Sequence, residues 1–236
     1  MKVLGLIPAR GGSKGIPNKN RKLLGDKPLL QYTIEAALAS KKLSSVIFSS
    51  EDATLIQLAK EFGVEVPFVR PVALATDSAG SIEVVQHALN FLAEKGEIFD
   101  AVCLLQVTTP FRTFKDIDDA VSRFENSNTD SLISVRKVPH QYNPHWVFEK
   151  GPSENLKIAT GELSIIKRRQ DLPTAFIRDG AIYITKTDVL LKESSFFGNS
   201  IAHIQLDNER YVNIDTEEDW EKAEKILKST ANKIKE

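Results

Sequence analysis

One cysteine, Cys103, in 236 residues leaves no intrachain disulfide and no cysteine-rich metal site. Its setting in AVCLLQ reads as a buried strand, and a reducing, cytoplasmic compartment fits a chain with no disulfide framework. No apolar run approaches the roughly 20 residues that a membrane helix needs. The first apolar segment is too short for a secretory core and is broken by Pro8, so a soluble chain without cleavage or membrane contact is expected. An excess of one charge is also missing. The 31 Lys and Arg against 32 Asp and Glu leave a formal charge of -1, so any basic site is local and nucleic acid is not an implied partner. His87, His140, His145 and His203 lack metal-ligand spacing, and Trp146 and Trp220 read as packing residues rather than a stacking array. Neither Gly-x-Gly-x-x-Gly nor a Walker A triplet occurs, and no internal repeat or low-complexity tract is visible.

What is present is a strand and helix rhythm. Val3, Leu4, Leu6 and Ile7 suit a buried strand, and Leu30, Ile34, Ala37 and Leu38 recur at helical spacing before a strand at Val46, Ile47 and Phe48. Ser50 reads as the cap of a helix with Leu55, Leu58, Ala59 and Phe62 on one face, followed by Gly63 and a strand over residues 64–68. A second amphipathic helix carries Ile82, Val85, Leu89 and Leu92. Residues 101–106 make an apolar strand, and Ile117, Ala120, Val121 and Phe124 mark the next helix. Strands over 131–135, 181–185 and 200–205 precede a C-terminal helix with Trp220, Ala223 and Leu227 inward and its lysines on a solvated face. Residues 139–169 break the rhythm with HQYNPHW, a Gly-Pro pair and a basic cluster, and read as an insertion in one domain spanning 1–236. Repeated strand and helix units predict an α/β fold with a three-layer, mainly parallel sheet whose ligands sit beyond the strand carboxyl ends.

The stretch after the first strand, IPARGGSKGIPNKN over residues 7–20, joins three glycines to Arg10, Lys14 and Lys19, with Arg21 just beyond. Glycine backbones turn amides toward oxyanions while arginine and lysine supply charge, so phosphate is the natural cargo. Taken alone, such a string is more often a solvated basic turn. The whole string, however, closely resembles the first motif of acylneuraminate cytidylyltransferases, the enzymes that make CMP-activated sialic acids and related nonulosonates.

Further motifs follow in that family's order. RPVALATDSA from Arg70 resembles RP-x-x-LA-x-D-x-A, which implies nucleotide contacts from Arg70 and Ser81; without the resemblance, the segment equally well delivers the chain to a helix. LLQVTTPFR over 104–112 is similar to LLQPTSPLR and makes Gln106 a sugar contact, with Val107 in place of the usual proline; the plain alternative is a strand, turn and helix entry with Arg112 solvated. FIRDGAIYI resembles the acceptor-side NGAIYI, with Asp179 for asparagine and Arg178 one place from where some relatives carry arginine. Arg169 in RRQDLP, Tyr183, Phe196 and Phe197 match sugar-pocket positions. In VNIDTEEDW, Asp215 aligns with a metal-binding aspartate of D-x-D-T, and Asn213 stands in the first aspartate position. Thr216 and Asp219 also read simply as a helix capping box.

The resemblance implies a Rossmann-like, glycosyltransferase-A-like nucleotidyltransferase that joins CTP to an acidic nine-carbon sugar and releases pyrophosphate. It makes Arg10, Lys19 and Asp215 catalytic, with Gly11, Ser13, Lys14 and Asn20 completing the nucleotide contacts. Mg2+, with Mn2+ as substitute, is implied on Asp215 and less firmly on Asn213, whose amide oxygen is a weaker ligand. A homodimer through residues 139–169 is implied too. The rival readings are a CMP-Kdo synthetase, against which SKGIPNKN argues, and a catalytically weakened nucleotide-binding regulator, which Asn213 motivates.

Overall fold

In a computed structural model describing residues 1–233, with side chains described to residue 229, Val3–Pro8 form strand β1, every residue of which before Pro8 is buried. Burial on both faces explains the unbroken apolar run. Val3 and Ile7 enter one hydrophobic cluster while Leu4 and Leu6 enter another on the opposite face. Helices covering both faces of one sheet give the three layers expected from the alternation.

The chain continues through a short antiparallel ladder of β2 (Leu23–Leu24) and β3 (Lys27–Pro28) into α1 (Leu29–Leu38), β4 (Ser45–Ser49), α2 (Ala53–Glu61) and α3 (Ser81–Glu94). Then come β5 (Ala101–Leu104), α4 (Phe114–Ser127) and β6 (Ser131–Lys137), the short strands β7 (Phe148–Lys150) and β8 (Leu156–Ile158), and β9 (Phe176–Lys186), β10 (Ile201–Gln205) and α5 (Glu217–Lys233). The main sheet has the order β10-β6-β9-β5-β1-β4. β1 lies parallel to both β4 and β5, whereas β9 runs antiparallel to β5. The parallel strands end their ladders at Ser49, Pro8 and Leu104, so the segments that follow them gather at one edge.

Local chemistry corrects two expectations. The cap of α2 is Asp52, whose carboxylate accepts the Leu55 N–H at 2.9 Å, while Ser50 Oγ accepts the N–H of Asp52 at 3.1 Å. The strand expected over 64–68 is reduced to one parallel bridge, Ile47 to Glu65. Val64 N–H is spent on the Ala59 carbonyl at the helix end, and Pro67 has no N–H to give. The Thr216 and Asp219 capping box is present, with both side chain to backbone bonds formed. Lys222, Lys225 and Lys228 are exposed on α5; the lysines beyond them lie outside the described side chains.

The chain divides into two compact units, one comprising Met1–Ser134 with the chain from Gly180 onward and the other Val135–Asp179. Residues 139–169 fall inside the smaller unit. That unit has its own antiparallel ladder of β7 and β8, closed by Trp146 Nε1 donating to the Ile166 carbonyl and Asn143 Nδ2 donating to the Pro173 carbonyl.

Candidate active site

A cleft of about 330 Å³ opens at the edge where the parallel strands end. Arg10, Gly12, Ser13, Lys19 and Asn20 line it from the loop after β1, Arg70, Asp77 and Ser81 from the segment entering α3, Gln106 and Thr108 from the loop after β5, and Asp215 from the turn before α5. Four stretches far apart in sequence thus face one space in the larger unit. Cleavage of the sheet into strand ends and loops explains the place, since backbone groups leaving the ladder need partners that a ligand can also supply.

The loop after β1 is held on three sides. Lys19, only 10% exposed, donates from Nζ to the Ile214 carbonyl at 2.6 Å and to Asp215 Oδ1 at 3.0 Å. Asn20 Nδ2 donates to the Arg10 carbonyl at 2.9 Å. Gly11 N–H donates to Glu51 Oε1 at 2.8 Å. A side chain at Gly15 would place its first carbon 2.1 Å from the Asp215 carbonyl oxygen, so glycine there permits the closest approach of the two segments.

Arg70 is 4% exposed and reaches the Ala9 carbonyl at 2.8 Å and Glu51 Oε2 at 2.6 Å, which makes it a brace of the loop as well as a lining residue. Its Nε is buried without a partner. Ser81, at the first turn of α3, is exposed to the cleft. Arg112 is buried, so the solvated alternative for it does not hold: its guanidinium donates to the Gln106 carbonyl, to Thr109 Oγ1 at 2.6 Å and to Thr33 Oγ1 at 3.0 Å. It fixes the loop that presents Gln106. Ile214 N–H donates to the Thr108 carbonyl at 2.8 Å, tying that loop to the Asp215 turn.

Charge in the cleft is balanced locally. Asp77 pairs with Arg10 at 2.8 Å and Lys14 at 2.7 Å. The Lys14 ammonium first, and Arg10 after it, hold the Asp77 carboxyl below the usual carboxylate range against a smaller opposing effect of desolvation. Desolvation and then the neighbouring Arg70 charge lower the pKa of His87, which disfavours its charged form. Burial pushes the Cys103 thiol up to about 12, which makes it a packing residue without thiolate chemistry.

Among the described residues no three His, Cys, Asp or Glu side chains form a metal cage. Asp215 is a single carboxylate, 60% exposed, whose Oδ2 accepts the Asn213 amide N–H at 2.7 Å. Mg2+ is commonly held by one or two carboxylates together with substrate phosphates. Asp215 fits that pattern for an ion arriving with a polyphosphate, and the Asn213 amide nitrogen donates to its carboxylate.

The expected sugar-side residues are distributed differently. Gln106 lines the cleft. Tyr183 is buried in the cluster beneath α3 with its ring centroid 6.1 Å from that of Phe196, and Phe197 offers its carbonyl to Ser131 Oγ. None of these three aromatic side chains lines the cleft. Arg169 begins an exposed turn in the smaller unit. Asp77, which pairs with the loop cations, lies within the RPVALATDSA motif but was assigned no role from sequence, and Glu51 was not singled out; the only signal for Glu51 was a polar run directly after an apolar strand.

A cleft beyond parallel strands, walled by a glycine-rich cationic loop and a carboxylate, defines an α/β nucleotidyltransferase. The profile of the cytidylyltransferase family matches residues 4–235, and the chain belongs to that family. It is 33% identical over 228 residues to the pseudaminic acid cytidylyltransferase of Campylobacter jejuni, covering 97% of each chain. It is 31% identical over 237 residues to the CMP-N,N'-diacetyllegionaminic acid synthase of Legionella pneumophila, covering 96% of this chain and 97% of that one. With the N-acylneuraminate cytidylyltransferase of Escherichia coli O18:K1:H7 identity is 34%, over 94% of this chain and 51% of the relative. Among solved structures, a CMP:2-keto-3-deoxy-manno-octonic acid synthetase complexed with CTP superposes with a TM-score of 0.72 at 16% identity, over 98% of this chain and 100% of that one. At that identity the likeness is one of fold. The acylneuraminate cytidylyltransferase resemblance of the motifs therefore extends to the whole chain.

Proposed function

We propose that this cytidylyltransferase transfers CMP from CTP to the anomeric hydroxyl of a nonulosonic acid and releases pyrophosphate. The observation that carries the proposal is the bond from Lys19 to Asp215, which joins the first motif to the last, 196 residues away, at the wall of one cleft. In the reaction the sugar hydroxyl oxygen forms a bond to the α-phosphorus, the bond from that phosphorus to the bridging oxygen breaks, and the hydroxyl proton passes to solvent. Positioning and charge stabilisation supply much of such catalysis.

Arg10, Ser13, Lys14 and Lys19 hold the triphosphate and the loop amide of Gly12 presents a donor to it, while Gly11, whose N–H is held by Glu51 Oε1, gives the loop its backbone freedom. Asn20, Arg70 and Ser81 complete the nucleotide contacts. Asp215 is the residue that would hold Mg2+, or Mn2+ in its place, and the chemistry such an ion supplies is neutralisation of phosphate charge. Gln106 meets the acidic sugar; Arg169, Tyr183, Phe196 and Phe197 remain assigned to it through the family resemblance. The chain acts in the cytoplasm, in keeping with its lone buried thiol, and as a homodimer.

The substrate class is supported by the three relatives above, at 31–34% identity, which are named for pseudaminic, legionaminic and neuraminic acids, whereas the octonic acid synthetase shares only the fold. The Asn213 contact favours one other reading, a weakened nucleotide-binding protein. Purified protein, CTP and a panel of neuraminic, legionaminic and pseudaminic acids, with UTP and ATP as controls, separate the two by pyrophosphate release. At least one acid is expected to give product with CTP. Binding of CTP without release from any acid, in Mg2+ or Mn2+, would establish the weakened form.

A further inference from the structure

The loop cations have an anion against them before any substrate arrives. Asp77 bridges Arg10 Nη1 at 2.8 Å and Lys14 Nζ at 2.7 Å, two of the four side chains to which the proposed function gives the triphosphate. The other two pairs in the cleft are of a different kind. Lys19 and Arg70 are 10% and 4% exposed, and each is also bonded to a backbone carbonyl, so their carboxylate partners are part of the wall. Arg10, Lys14 and Asp77 are 38%, 81% and 49% exposed, and among the described residues these side chains make no tie to backbone. Exposed pairs of this kind are weak and exchangeable. Asp77 is also carried on the irregular residues between a short 3-10 turn at Val72–Ala75 and α3.

A carboxylate and a phosphate offer the same chemistry to a guanidinium and an ammonium, namely oxygen acceptors with negative charge. We propose that Asp77 is an internal counter-anion that occupies the phosphate seat at Arg10 and Lys14, yields it to a polyphosphate and reclaims it as pyrophosphate leaves. It is thus a specificity-determining residue. A ligand with several phosphate charges displaces one carboxylate, whereas a ligand without them meets cations already neutralised. The CTP part of this inference rests on the reading of the cleft as a nucleotide site; the exchange itself does not.

The test is calorimetric titration of pyrophosphate, CTP and cytidine into the wild-type protein, Asp77→Asn and Asp77→Ser, the serine serving as a second variant of smaller volume. Both variants are expected to bind pyrophosphate and CTP about three- to tenfold more tightly than wild type, the size that two exposed ion pairs support, with cytidine unchanged. Unchanged or weaker pyrophosphate binding in the variants overturns the proposal. So does equal tightening of cytidine, because charge is then not what changed, and so does a failure of every form to bind pyrophosphate. A protein that takes pyrophosphate more tightly without Asp77 but never binds CTP refutes the nucleotide reading and leaves the counter-anion in place.

Discussion

Lys19 uses two of its three donors in a cramped place, on the Ile214 carbonyl and Asp215 Oδ1. A buried ammonium so held orients the carboxylate beside it and keeps a positive charge at the cleft wall. Lys19→Ala is expected to lower kcat about a hundredfold, the scale of losing one preorganised charge-stabilising donor, as measured by steady-state pyrophosphate release. Lys19→Arg restores little, since a planar fork does not reproduce a point charge between a carbonyl and a carboxylate. Sequence alone marked Lys19, because a lysine in a glycine loop suits phosphate, but it did not disclose the tie to the Asp215 turn. Glu51 was hidden for the same reason. Its importance comes from accepting the Gly11 N–H and the Arg70 guanidinium at once, and both contacts are made across the fold rather than along the chain.

Turns at the ends of strands are where the elements of this molecule do their chemistry, and they tolerate change unequally. A methyl group at Gly15 meets the Asp215 carbonyl at 2.1 Å, whereas one at Gly12 meets nothing within 4 Å. Gly15→Ala should destabilise the fold by about 1–3 kcal/mol, as overpacking does, and Gly12→Ala by no more than about 0.5 kcal/mol; denaturant unfolding of the two variants reads the difference. The regular elements themselves were legible because their apolar periods are long and clean: α4 buries every residue that its spacing singled out, and α3 buries Val85, Leu89 and Leu92 with Ile82 partly buried. The short strand over residues 64–68 was misread because a run of apolar side chains says nothing about whether Pro67 and a used Val64 N–H leave a ladder to join. Ser50 and Asp52 are both proper cap residues, and it is Asp52 that has the extended backbone of a cap and places its carboxylate on the Leu55 N–H.

Taken whole, the molecule keeps its polar cleft in the larger unit and exposes apolar side chains on the smaller one. Tyr142, Phe148, Leu156, Leu163 and Ile165 are all exposed there, with Leu156 at 69% and Leu163 fully open. Exposed apolar side chains in such number mark a contact surface more often than a solvent face, and they support the homodimer proposed for residues 139–169. Light scattering at assay concentration is expected to give twice the chain mass, and Leu163→Glu to shift the population toward monomer; a monomer in the unaltered protein removes the assignment. The bond between Lys19 and Asp215 has one more consequence, in the time domain of synthesis. The two residues leave the ribosome 196 positions apart, about 10–40 s at ordinary elongation rates of roughly 5–20 residues per second. Throughout that interval the nascent chain carries a cationic loop whose opposite wall has not yet been made, so the loop reaches its bonded form only late in synthesis.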